Sequence, residues 1–143
     1  MPDRKASAKW NGNLREGAGE LSLGSGAYTG PYDFGSRFEA GAATNPEELI
    51  GAAHAGCFTM AMTAAFSRER ITPTEIRTTA TVHLTKEGAD LSISKIDLVT
   101  RGKVPGIDQA KFAEVAEGAK KNCVISKALA GVAVITLDAQ LES

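Results

Sequence analysis

A chain of 143 residues fits one domain, since single cores usually run from about 100 to 200 residues. At 43% hydrophobic and 23% charged, it is excluded from the disordered and collagen-like classes. A formal net charge of −1 gives no electrostatic case for nucleic acid or an anionic membrane as partner.

The opening Met1-Pro2-Asp3-Arg4-Lys5-Ala6-Ser7 lacks the apolar stretch of a secretory signal. No run reaches the roughly 18 to 20 uninterrupted apolar residues of a membrane span. The expected compartment is therefore the reducing cytoplasm, where a permanent structural disulfide is disfavoured. Residues 1–43 are rich in glycine and serine. Strand-like pieces Ala6–Asn11, Gly19–Leu23 and Ser36–Ala40 alternate with turn signals at Asn11-Gly12-Asn13 and Gly30-Pro31-Tyr32, with Trp10, Leu21 and Leu23 facing inward.

A central helix over residues 44–70 follows. Asn45 is its cap, Pro46 takes its first position, and Glu48 completes a capping-box spacing. Glu47 and Glu48 suit the positive end of its dipole. From Leu49 to Phe66 the pattern is apolar around most of the circumference, which predicts a buried central helix. Residues 74–101 read as a hairpin: Ile76, Thr78, Ala80, Val82 and Leu84 share one face, and Glu87-Gly88-Ala89-Asp90 makes the turn. The apolar phase of the return strand slips at Lys95, as a β-bulge requires. Asp108 caps a second helix within 108–130, Cys123 opens a third, and residues 132–141 form a last strand. The order predicts an α+β fold with antiparallel sheet.

The two cysteines, Cys57 and Cys123, stand far apart in sequence and form neither a zinc-finger pattern nor a disulfide framework. A mid-helix Cys57 among Ala, Gly and Phe is a small buried hydrophobe or a nucleophile. Gly51, Ala52, Ala53, Ala55 and Gly56 leave space beside it. Cys123 at a helix start meets free N–H groups that lower thiol pKa values. His54, Cys57, His83 and Cys123 supply the ligand types of a zinc site, but no second close pair defines one, and no metal is expected. Arg37 is a solvated residue or the cation beside a thiolate. Glu47 is a first-turn acid or the partner that orients Arg37.

These residues resemble those of a known family, the OsmC/Ohr hydroperoxide-detoxifying proteins, in its OsmC branch. The resemblance is carried by Ala8-Lys9-Trp10-Asn11-Gly12, Ser36-Arg37-Phe38-Glu39, Thr44 to Phe58, Val104-Pro105-Gly106-Ile107-Asp108 and Ala119 to Leu129. Together these span nearly the whole chain in order. It implies one OsmC-like domain over 1–143, in an intertwined homodimer with antiparallel sheets packed on the central helix. It also implies an organic hydroperoxide reductase with no bound cofactor, regenerated by an external dithiol of the lipoyl type. By matching positions, Cys57 is the peroxidatic thiol, Cys123 the resolving thiol, and Arg37 with Glu47 the activating pair. An apolar pocket from Ile50, Phe58 and Met60 would receive the alkyl group. The family usually has proline after the second cysteine, where this chain has Val124.

Glu47 and Cys57 stand about 15 Å apart along a straight helix, too far to share one small site within it. If both belong to one site, Glu47 comes from a second subunit, and the site lies at a homodimer interface. The alternatives are a non-catalytic homodimeric module that binds a small apolar ligand in the same pocket, or a metal protein.

Overall fold

The computed structural model describes all 143 residues, in two compact units, Met1–Leu49 and Ile50–Ser143. The first holds three strands, β1 (Ala6–Asn11), β2 (Ala18–Leu23) and β3 (Thr29–Tyr32), in an antiparallel sheet of that order. Gly12 takes φ +92 in the first turn, a backbone angle that favours glycine. Trp10 packs edge-on to Tyr32, with ring centroids 5.3 Å apart.

Two expectations fail in this unit. Gly30-Pro31-Tyr32 is strand, not turn: β3 is an edge, so the N–H that Pro31 lacks is not needed for pairing. Ser36–Ala40 is not a strand either. Residues Phe34–Phe38 form a short helix, α1, closed by a reciprocal capping box in which Asp33 accepts from Ser36 N–H and Ser36 Oγ accepts from Asp33 N–H.

Helix α2 (Pro46–Arg68) runs from the first unit into the second. Asn45 Oδ1 accepts from Glu48 N–H at 2.7 Å, as its cap position predicts. Glu48 does not reach back to close the box; its carboxylate takes Thr44 Oγ1–H at 2.9 Å. The helix ends on Arg68, and Arg70 turns the chain with φ +59.

The second unit pairs β4 (Glu75–Glu87) and β5 (Asp90–Lys103) antiparallel through a tight turn with Gly88 at φ +63. The bulge lies where His83 faces Lys95 and Leu84 faces Ile93, which leaves Ser94 without a partner, one residue from its expected place. Helices α3 (Gln109–Asn122) and α4 (Val124–Ala128) follow, then β6 (Val134–Leu141). Strand β6 pairs with β5 in parallel, so the sheet is mixed and not purely antiparallel. The cause is the connection: a strand that returns through two helices comes back beside its predecessor in the same direction.

The core of this unit joins one stripe of α2 to the sheet and α3. Phe58, Met62 and Phe66 are wholly buried with Ile96, Leu98, Phe112 and Ala116, and Phe66 stacks on Phe112 at 6.4 Å. Helix α2 is long and apolar enough to cross a bilayer, yet this stripe is sealed into the protein core. It is not buried all round: Ala52, Ala53, Gly56, Met60 and Ala64 on its other side are exposed.

At the sheet, Asp97 binds Thr136, His83 and Lys95, linking all three strands. Those contacts, Thr136 first, hold its carboxyl down to about 2 from 3.8. A depressed carboxyl contributes stability above its unfolded value and loses it as pH falls through the folded one. The melting temperature of the native protein is expected to drop between pH 3.8 and about 2 by more than that of Asp97→Asn. Equal drops would show that Asp97 does not contribute.

Candidate active site

Cys57 lies on the fourth turn of α2, beside the buried positions His54 and Phe58, and is half-buried. Cys123 is 1% exposed and caps α4; its Sγ accepts the Ser126 N–H at 3.5 Å. Both are free thiols, and each shifts the acidity of the other. The first turn of α4 favours charge on both sulfurs: the N–H groups of Ile125 and Val124 act on Cys57, and those of Ser126 and Ile125 on Cys123. Cysteine fits this cap because its sulfur accepts the N–H that a helix start leaves unpaired.

The two thiols differ in acidity. Burial, and then the hydrogen bond with Cys123, push the Cys57 thiol above its ordinary value; the N–H groups of Ile125 and Val124 only partly offset this. Burial also opposes ionisation of Cys123, but the bond from Cys57 and those from Ser126 and Ile125 outweigh it and hold that thiol low. Ionisation therefore favours Cys123, and Cys57 keeps its proton. A positive charge beside Cys57 would reverse that preference.

The predicted cation is organised in the first unit. Arg37 donates from Nε and Nη2 to one oxygen of Glu47, at 3.2 and 2.9 Å. Asn45 Nδ2, donating to Ser36 O at 2.7 Å, ties the start of α2 to α1 and so holds the two residues together. Arg37 also lies over the Phe38 ring, 5.3 Å from its centre. Glu47 is buried, and its second oxygen has no partner in the chain. A buried carboxylate oxygen left free is costly unless something else binds it.

The structure thus joins Cys57 with Cys123 and Arg37 with Glu47. It does not gather Ile50, Phe58 and Met60 into one pocket: Phe58 is a core residue, Ile50 is half-buried, and Met60 is 75% exposed. Helical phase explains this, since two residues along α2 carry the chain to the opposite face. His83 pairs with Asp97 at 2.7 Å, and His54 bonds across to α4. Sequence reasoning missed Ser126, whose signal was its place three residues after the capping Cys123.

An α+β fold that brings two free thiols together under the N–H groups of one helix start defines a thiol redox protein. Residues 39–138 match the family model described as OsmC-like protein. The chain is 46% identical over 141 residues to "Peroxiredoxin OsmC" of Escherichia coli K12, covering 98% of this chain and 97% of that one. It is 33% identical over 96 residues to "Organic hydroperoxide resistance protein OhrA" of Bacillus subtilis, 67% of each chain. In fold it is similar to the crystal structure of OhrB of Bacillus subtilis, with TM-score 0.72, 23% identity and coverage of 96% and 98%. An OsmC-like protein from Mycoplasma pneumoniae gives TM-score 0.76 at 14% identity, covering 99% of each chain. The chain belongs to the OsmC-like family.

The coupling of the two thiols gives a direct expectation. Cys123→Ala removes the sulfur that raises the Cys57 pKa, so the Cys57 thiolate should appear at lower pH than in the native protein. Ultraviolet thiolate absorbance followed against pH measures this; an unchanged or higher midpoint would contradict the coupling.

Proposed function

We propose that this chain is a cysteine-based peroxidase that reduces organic hydroperoxides to alcohols, with Cys57 as peroxidatic and Cys123 as resolving thiol. The observation that carries the reading is a pair of free sulfurs near the start of α4 that shift each other's acidity. The names of the relatives support the substrate class.

The Cys57 thiolate attacks the terminal oxygen of the hydroperoxide. An S–O bond forms, the O–O bond breaks, and the alkoxide takes up a proton and leaves as alcohol. Cys57 is left as a sulfenic acid. Cys123 then forms the disulfide with loss of water, and an external dithiol, of the lipoyl type, restores both thiols by exchange. The cycle asks for no bound metal or organic cofactor. Arg37, aimed by Glu47, supplies the positive charge that favours the Cys57 thiolate and polarises the O–O bond. Val124 in place of the family's usual proline brings an extra N–H to the Cys57 sulfur, which acts in the same direction.

Glu47 and Cys57 are about three turns apart on one helix, so Arg37 and Glu47 of one subunit serve Cys57 of a second. The exposed apolar side of α2 is suited to such a homodimer. The whole chain then works as one OsmC-like domain, at home in the cytoplasm.

Subunit mixing tests both the residues and the interface. Cys57→Ala and Arg37→Ala proteins should each lose most peroxidase activity, Cys57→Ala all of it and Arg37→Ala on the order of a hundredfold. After mixing and subunit exchange, mixed dimers regain one intact site each, and activity should rise toward about a quarter of native by random pairing. No recovery on mixing, with exchange verified by mass, would show that each site is built within one subunit.

A further inference from the structure

Helices α2 and α4 are tied by one buried polar contact that the two-thiol cycle leaves unused. His54 is fully buried, and its Nε2 lies 2.7 Å from Ser126 Oγ. His54 stands one turn before Cys57 on the same side of α2. Ser126 is also buried; its backbone N–H reaches Cys123 Sγ at 3.5 Å, and its hydroxyl helps hold that thiol's pKa low. Ser126 therefore stands between the imidazole of His54 and the sulfur of Cys123.

The direction of the His54–Ser126 hydrogen bond follows from proton counting. Burial lowers the His54 pKa and keeps the ring neutral, with one N–H. Its Nδ1 is buried without a partner. A buried N–H without an acceptor is the rarer and costlier fault, so the proton belongs on Nε2. Nε2–H then donates to Ser126 Oγ, which leaves the hydroxyl proton to point at Cys123 Sγ.

We infer that His54 is a positioning residue for disulfide formation: through Ser126 it aims a hydrogen bond at Cys123 Sγ and fixes that sulfur for attack on oxidised Cys57. The inference rests on the two-thiol peroxidase reading above. In this step Cys123, its proton already given to solvent, attacks the sulfenic sulfur of Cys57. The S–S bond forms, the S–O bond breaks, and hydroxide leaves and takes up a proton as water. The Cys123 sulfur is oxidised and the Cys57 sulfur reduced, the oxidising equivalents having come from the peroxide. His54 gains and loses no proton. Its work is to keep the Ser126 hydroxyl turned toward sulfur.

The test separates the two chemical steps in the full-length protein. Reduced protein is mixed with stoichiometric cumene hydroperoxide and sampled over time, with a 1,3-dione trapping sulfenic acid and a free-thiol count following the disulfide. His54→Leu and Ser126→Ala should slow disulfide formation about tenfold and accumulate trapped Cys57, the loss expected for one hydrogen bond to a charged sulfur. Formation of the sulfenic acid itself should not slow, since losing a hydrogen bond to Cys123 does not disfavour the Cys57 thiolate. His54→Gln, which keeps a donor for Ser126, should restore most of the rate. Native disulfide rates in His54→Leu and Ser126→Ala would overturn the inference. So would a His54→Gln protein as slow as His54→Leu, which would mark a packing effect.

A second readout needs no peroxide, so failure of the peroxidase reading is distinguishable from failure of the relay. In a Cys57→Ser background, the pH at which the Cys123 thiolate absorbs should rise when Ser126→Ala or His54→Leu is added. It should stay put with His54→Gln. An unmoved midpoint in Ser126→Ala would overturn the relay whatever the enzyme's substrate.

Discussion

The proposed chemistry of this protein depends on the meeting of two sulfurs at the start of a five-residue helix. Neither thiol is placed by a local motif. Cys57 is carried in by α2, whose turns through His54, Phe58, Met62 and Phe66 are fixed by the core. Cys123 is carried in by the junction of α3 and α4, where Ala119 O receives its N–H and its sulfur takes the N–H of Ser126. Burial of the phenylalanine stripe is what makes the sulfur contact reproducible. Apolar packing thus sets a polar geometry.

That geometry has an electrostatic consequence. Two neighbouring thiols cannot ionise independently, because the charge on one raises the cost of charging the other. The N–H groups of α4 favour one negative charge on the pair, and Cys123 takes the larger share. In the proposed cycle, this resting arrangement would have to be tipped toward Cys57 when peroxide arrives. The Arg37–Glu47 pair, held at 2.9 Å with one carboxylate oxygen unbound, has the charge to tip it. If the proposed dimer joins them, two half-sites, one of sulfur and one of charge, would give it a reason beyond stability alone.

Much of this was legible in the residues. The caps at Asn45 and Asp108, the alternation of β4 and the turn at Gly88 are local signals, and local forces decide them. The slip at Lys95 located the bulge to within one residue, because side-chain phase shows the extra residue without showing which one is unpaired. What escaped had competing readings. Asp33 and Ser36 spell a capping box in a stretch otherwise written like a strand, and Pro31 is a turn former that an edge strand tolerates. The parallel pairing of β6 was implicit in a strand–helix–helix–strand order. Ser126 and the exposure of Met60 depend on helix phase and on a partner helix that no sequence window contains. The family resemblance supplied roles that composition and spacing left open.

The central claim is that Cys57 and Cys123 form one redox pair. Titrating the reduced protein with an organic hydroperoxide, counting free thiols and weighing the intact product, tests it most directly. Loss of both thiols, with a product lighter by two hydrogens, is the expected result. A stable added oxygen with one thiol remaining would remove Cys123 from the cycle and contradict the pairing; two untouched thiols would contradict the peroxidase reading altogether.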